Sequence, residues 1–132
     1  MREIKFKAWD KEKKMWTNWK CYDNMFYFMD KNTGVWVRDD EFKRFILLQY
    51  TGLKDKNGVD IYEGDILKVR FYNPNRKDGP AVWYEYLKVV YYEELAQFVT
   101  LDKDDLDNYI FPERSMVIGN IYDNPELLEV GK

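Results

Sequence analysis

The stretch QYTGLKDKNGVDIYEGDILKVRF, residues 49–71, alternates strand-forming runs with turn-forming residues. Asn57-Gly58 lies between two patterned segments, and a type I′ hairpin turn, with positive φ at both central positions, favours that pair. Gly52 and Gly64 punctuate the segments on either side. Beyond Gly64-Asp65, the period-two pattern puts Leu67, Val69 and Phe71 on one face of a strand and Ile66, Lys68, Arg70 and Tyr72 on the other. Gly64 permits a turn or bulge, and Asp65 is placed to accept nearby backbone N–H groups as the strand begins. The stretch therefore reads mainly as scaffold.

Working outward, REIKFKAW alternates as a half-buried strand, and DKEKK follows it as a charged turn. The block CYDNMFYFMD is apolar and aromatic with a turn at YDN, and Asn32-Thr33-Gly34 closes a hairpin before Val35, Trp36 and Val37. EFKRFILLQY fits a helix by spacing and a strand by composition. Downstream, NPNRKDGP is a loop, the most mobile one by composition, and AVWYEYLKVVYY and AQFVTL are β segments. DKDDLDNYIFPERS is an acidic connection or short helix. MVIGNIYDNPELLEV closes with a strand, Gly119, an Asn124-Pro125 turn and a helical turn at Glu126 to Leu128. No fixed-period repeat is read.

The 132 residues suit one domain with a single core, and aromatic residues at 18% favour sheet. The longest apolar run, Met25 to Met29, is too short for a membrane span or signal core, so a cytoplasmic protein is expected. Cys21 stands alone, which excludes an internal disulfide, and it is expected as a small buried hydrophobe.

The chain has no histidine and one serine, Ser115, so no Ser-His-Asp, Cys-His or histidine-metal site can be assembled from it. Carboxylates, Lys and Tyr remain. A calcium loop through Asp55, Asn57 and Gly58 puts Leu53 first and Gly64 last, where ligands belong. A loop from Asp102 through Asp104 to Glu113 has Leu106 and Asp107 at its fifth and sixth positions, against the pattern. Glu63 and Asp65 fit a turn better than a carboxylate pair. No catalytic residue, metal or cofactor is expected.

Trp9, Trp16 and Trp19, interleaved with Lys7, Lys11, Lys13, Lys14 and Lys20, form the candidate binding surface. Aromatic rings beside cations can stack bases and meet phosphates. The same tryptophans also fit a covering for a barrel, with the lysines toward solvent. Residues 1–20 carry a net charge of +4 and residues 91–132 of −7, against −3 for the chain. That gradient is resolved either within one chain or by head-to-tail contact, and a homo-oligomer is expected.

IKFKAWDKEKKMW, LLQYTGLKDKNGVDIYEGDILKV and VIGNIYDNPELL occur in an order, and over a span, that resembles the YopX family of small phage and prophage proteins. The resemblance implies a sheet-rich α+β fold with an SH3-like barrel and a phage or prophage origin, and it implies no chemistry. The expected architecture is mainly β, one domain, with an N-terminal aromatic β extension (1–48) and a barrel-like core (49–132). The expected function is non-enzymatic binding of a protein partner. The alternative is nucleic-acid binding by the basic, Trp-rich N-terminal face.

Overall fold

Four acidic or amide side chains shape the turns that set this fold. Asp10 Oδ1 accepts the N–H groups of Glu12 and Lys13, and Asp30 Oδ1 accepts those of Asn32 and Thr33. Asn120 Oδ1 does the same for Tyr122 and Asp123. Asp55 Oδ1 holds Asn57 and Val59. Each side chain mimics a backbone turn, so the chain reverses where the sequence places it. The computed structural model describes residues 4–102 and 107–129, and it is mainly β, with antiparallel sheets curled in the manner of a half-barrel.

Contacts divide the chain into two compact units, Met1–Tyr50 and Thr51–Lys132. In the first, β1 (Phe6–Asp10) pairs with β2 (Met15–Thr17) and with the start of β6 (Phe45–Lys54), placing Trp9 opposite Trp16 and Ile46. A second sheet runs in the order β3 (Trp19–Tyr22), β4 (Met25–Asp30), β5 (Val35–Arg38). Ala8 and Phe45 of the first sheet and Phe28 of the second are the fully buried centre of this unit, with Trp19, Phe26, Val37, Phe42 and Leu47 packed around them. The rings of Phe28 and Phe45 stack at 4.6 Å.

In the second unit the end of β6 pairs with β7 (Asp60–Tyr62). A five-stranded sheet has the order β11 (Asp107–Asn108), β10 (Gln97–Leu101), β9 (Val82–Tyr92), β8 (Asp65–Tyr72), β12 (Ser115–Asn120). Its core is Ile61, Leu67, Val69, Leu87 and Val89. A 3₁₀ turn at Pro112–Arg114 leads into β12, and another at Pro125–Glu129 follows the Asn124-Pro125 turn.

Several expectations change in detail. EFKRFILLQY is strand from Phe45, with Phe42 at φ +54° turning the chain before it. The Asn57-Gly58 hairpin exists but is not type I′, because only Gly58 has positive φ. The Asp55 N–H donates to the Val59 carbonyl and the Gly58 N–H to the Asp55 carbonyl, giving a three-residue loop with a glycine bulge. The two-residue turn with both φ positive is at Asp23-Asn24, between β3 and β4. Leu67 and Val69 are buried as expected, Phe71 is half-buried, and Ile66 is fully buried on the face read as polar. Gly119 pairs with Ile66, and a Cβ built on Gly119 would lie 2.9 Å from Leu127. The C-terminal turn therefore roofs Ile66's side of the sheet.

Cys21 is exposed rather than buried, because β3 is an edge strand. The NPNRKDGP loop is braced by Arg76, whose Nη1 donates to the Pro80 carbonyl and whose guanidinium lies 4.0 Å from the Trp83 ring centre. The described part of the acidic connection from Asp107 onward forms β11 and the Pro112–Arg114 turn. Asp104 and Leu106 of the second calcium alternative lie outside the described residues.

Candidate functional site

The β3–β4–β5 sheet turns one face to its unit's core, and among the described residues the other face is partly open, with Tyr22 and Trp36 exposed and Met25, Tyr27 and Met29 half-buried. Trp19, Phe26, Phe28 and Val37 point inward, so by alternation Lys20, Tyr22, Met25, Tyr27, Met29, Trp36 and Arg38 share the outer side. The side chains agree, because Lys20 Nζ lies 4.2 Å from the Trp36 ring centre and 5.8 Å from that of Tyr27. Tyr22 is 72% exposed and Trp36 37%. Arg38 Nε donates to Asp40 Oδ2 at 2.7 Å, which fixes the guanidinium at the rim. Asp40 Oδ1 accepts the Phe26 N–H at 2.7 Å, tying that rim back to β4. Those backbone and Arg38 hydrogen bonds hold the Asp40 carboxyl below the usual carboxylate range.

Arg44 joins the β4–β5 hairpin of this sheet to the β1–β2 hairpin of the neighbouring sheet. Its Nε and Nη2 donate to the two carboxylate oxygens of Asp10 at 3.0 and 2.8 Å, and Nη2 also donates to Asp30 Oδ2 at 2.9 Å. Burial opposes ionisation of Asp10, but Arg44 and the N–H groups of Lys13 and Glu12 outweigh it and hold its carboxyl below the usual range. Asp30 is held low chiefly by Arg44. Arg44 in turn is pushed further up, first by Asp10. Asp39 closes the arrangement, its carboxylate accepting the N–H groups of Lys43, Arg44 and Phe45. A shallow recess of about 320 Å³ along residues 38–43 has its charges paired internally, Arg38 with Asp40 and Lys43 with Glu41.

The sequence-derived binding surface is not gathered into one patch. Trp9 is only 2% exposed and packs edge-on against Trp16 at 4.8 Å, so it belongs to the interior rather than to a surface. Trp16 is half-buried with Lys7 Nζ 4.0 Å from its ring centre. Trp19 lies on the inner side of β3 and donates its indole N–H to the Phe6 carbonyl. Lys11 reaches the Phe42 carbonyl, Lys13 pairs with Glu12, and Lys14 takes φ +56° at the end of the β1–β2 turn. Only Lys20 belongs to the open face. Tyr22, Tyr27, Trp36 and Arg38 were missed, although the alternation of WKCY, MFYFMD and VWVR carried the signal.

The structural motif residues behave as turn chemistry. Gly52, Gly58 and Gly64 all have positive φ. Asp65 is buried and its Oδ2 accepts the Tyr62 N–H at 2.8 Å. Asp55 spends Oδ1 on its own turn and Oδ2 on the Val117 N–H, 62 residues away. Ser115 is fully buried and donates to the Phe111 carbonyl, so it is no nucleophile. Among the described residues no group of three His, Cys, Asp or Glu side chains is placed to hold a metal ion. No helix among them is long and apolar enough to cross a membrane.

Residues 5–129 match the family described as YopX protein, and the chain belongs to that family. Its fold is similar to the crystal structure of protein EF1440 from Enterococcus faecalis, with 27% sequence identity and a TM-score of 0.59, covering 97% of this chain and 99% of that one. No curated protein matches the chain.

Proposed function

We propose that the protein is a non-enzymatic module that binds a protein partner on the outer face of β3–β4–β5. The observation that carries this reading is the composition of that face. Tyr, Trp, Met and Arg are the residues enriched at the centres of protein interfaces, and acidic residues are depleted there. Tyr22, Tyr27, Trp36, Met25, Met29 and Arg38 supply the former, with Lys20 as the one further cation and no carboxylate on the strands' outer positions. Three strands of four to six residues span roughly 200 Å² of flat area, against about 800 Å² per partner in a standard interface. The face is therefore the anchor of a contact whose rim extends further. The family resemblance supports a phage or prophage accessory role in the bacterial cytoplasm, and an SH3-like description of the curled five-stranded sheet. Nucleic-acid binding by the N-terminal tryptophans has less support, since Trp9 is buried and Trp19 packs against its unit's core.

The test is a pull-down from bacterial lysate, with and without nuclease, using the wild type and a Tyr27→Ala/Trp36→Ala variant. Truncating a central aromatic anchor costs about 2 kcal/mol, or roughly thirty-fold in affinity per ring. The expected result is a partner that survives nuclease and is lost by the double variant, with the variant's thermal melt intact. A partner retained equally by the folded variant, or lost on nuclease treatment, overturns the reading. Ultracentrifugation of the purified chain across a salt series assigns the face to a second copy if Tyr27→Ala/Trp36→Ala abolishes self-association.

A further inference from the structure

The outer face of the second unit's sheet carries four cations for which no carboxylate among the described residues lies within ion-pairing distance. Lys56, Lys68, Arg70 and Arg114 line a recess of about 190 Å³, together with Tyr84, Met116 and a single acid, Glu113. None of the four forms an ion pair among the described residues, whereas Arg44, Lys54 and Arg76 elsewhere all do. The convergence is built by the fold rather than by a run of basic sequence. Register puts Lys68 opposite Met116 and Tyr86, and Arg70 opposite Tyr84. Lys56 is brought in because its N–H donates to the Ser115 carbonyl at 3.0 Å and the neighbouring Asp55 carboxylate holds Val117. Arg114 ends the 3₁₀ turn that feeds β12.

Such a cluster repels itself unless an anion is shared among its members, and the chain as a whole, at −3, has no general excess of base to explain it. The aromatic residues say which anion. Tyr84 is 47% exposed, with Lys68 Nζ 4.7 Å from its ring centre, and Tyr72, 61% exposed, has Arg70 at 6.0 Å. Tyr84 and Tyr86 on β9 thus run beside Lys68 and Arg70 on β8, with Tyr72 continuing the β8 row. Alternating rings and cations on an open sheet are what a flexible phosphodiester strand requires, stacking for bases and charge for the backbone. The recess is smaller than the roughly 300–1,000 Å³ of pockets that enclose a whole small molecule, so it takes one charged group of something longer.

We propose that the β8–β9–β12 face binds single-stranded nucleic acid, with one phosphate seated among Lys56, Lys68, Arg70 and Arg114 and a base stacked on Tyr84. This site lies in a different unit from the protein-docking face and stands independently of it. Fluorescence anisotropy with labelled twelve-nucleotide oligo(dT) and oligo(U), across a salt series, tests the proposal on the full chain. One phosphate neutralised in the recess gives log K falling with log salt at a slope of about −0.7. Lys68→Gln/Arg70→Gln should weaken binding at least ten-fold and flatten that slope toward zero. Tyr84→Leu should weaken binding with the slope unchanged, which a purely electrostatic patch would not show. Binding absent at low salt, unaffected by the double substitution, or equally strong for duplex or for free thymidine monophosphate overturns the proposal. Arg114→Gln, on the exposed rim, provides the same readout should the β8 pair disturb folding.

Discussion

Replacing Arg44 with methionine removes the guanidinium that joins two hairpins while keeping much of the side chain's apolar bulk. The side chain of Arg44 is 20% exposed, that of Asp10 only 1%, and two of the three hydrogen bonds run to Asp10. Removing one member of a buried pair strands the other charge, at a cost of about 3–5 kcal/mol. Asp10 keeps its N–H bonds from Glu12 and Lys13, which places the expected loss near the lower end, about 3 kcal/mol. With urea slopes of about 1–3 kcal/mol/M, the midpoint should fall by roughly 1–3 M at pH 7. The pH dependence separates this cause from lost packing. Asp10 and Asp30 are held below their ordinary values in the folded chain, so their contribution is full above about pH 4 and is lost as pH falls through the lowered folded values. Once Asp10 is neutral it no longer needs Arg44, and the gap between wild type and Arg44→Met should narrow between pH 7 and pH 3. Adding Asp10→Asn to the variant should recover part of the loss at pH 7. A cost below about 1 kcal/mol, or a gap that does not change with pH, would refute the reasoning.

Phe71→Ala should cost about 1–3 kcal/mol in denaturant melts, below the about 3–5 kcal/mol of a fully buried ring, because Phe71 is half-buried and stacks on Trp83 at 5.7 Å. A loss above about 4 kcal/mol would mean its side of the sheet is more enclosed than described. Gly119→Ala should destabilise more than Gly58→Ala by thermal melting. A Cβ at Gly119 meets Asn124 Oδ1 at 2.6 Å and Leu127 at 2.9 Å, whereas at Gly58 it meets nothing within 4 Å and only the φ of +79° is strained. The reverse order would show that the C-terminal turn yields freely.

Period-two alternation located β1 and β8, and Val, Tyr and Phe content located β9, although at β1 the burial does not follow the alternation: Ile4 and Phe6 are exposed and Trp9 is buried. Alternation failed at Ile66, where a later segment covers the second face, and a two-state in/out pattern cannot encode a roof that arrives some sixty residues on. Turn positions were readable from Asp, Asn and Gly, but turn type was not. Asn57 stays out of the left-handed region while Asp23-Asn24 enters it twice, a choice set by the number of residues between paired strand ends. The Arg44 bridge left no local trace, since its partners lie 34 and 14 residues away. One sign was available. Trp9-Asp10-Lys11 with Met15-Trp16 recurs at Met29-Asp30-Lys31 with Val35-Trp36, a local echo too short to register as a periodic repeat. The open face of β3–β4–β5 was hidden because aromatic residues occupy both sides of β4, and composition alone does not say which side is wet.

The two echoing hairpins are built alike. Each is an aspartate, three further residues and a fourth in the left-handed conformation, Lys14 at φ +56° in one and Gly34 at φ +74° in the other. In both, the aspartate's Oδ1 and carbonyl make the turn and its Oδ2 reaches Arg44, joined in the first hairpin by Asp10 Oδ1 and by Glu12 at 3.5 Å. The exposed tip positions Lys31 and Asn32 are therefore places where a label can be attached by substitution while Asp30 keeps the turn and the strands on either side keep their register.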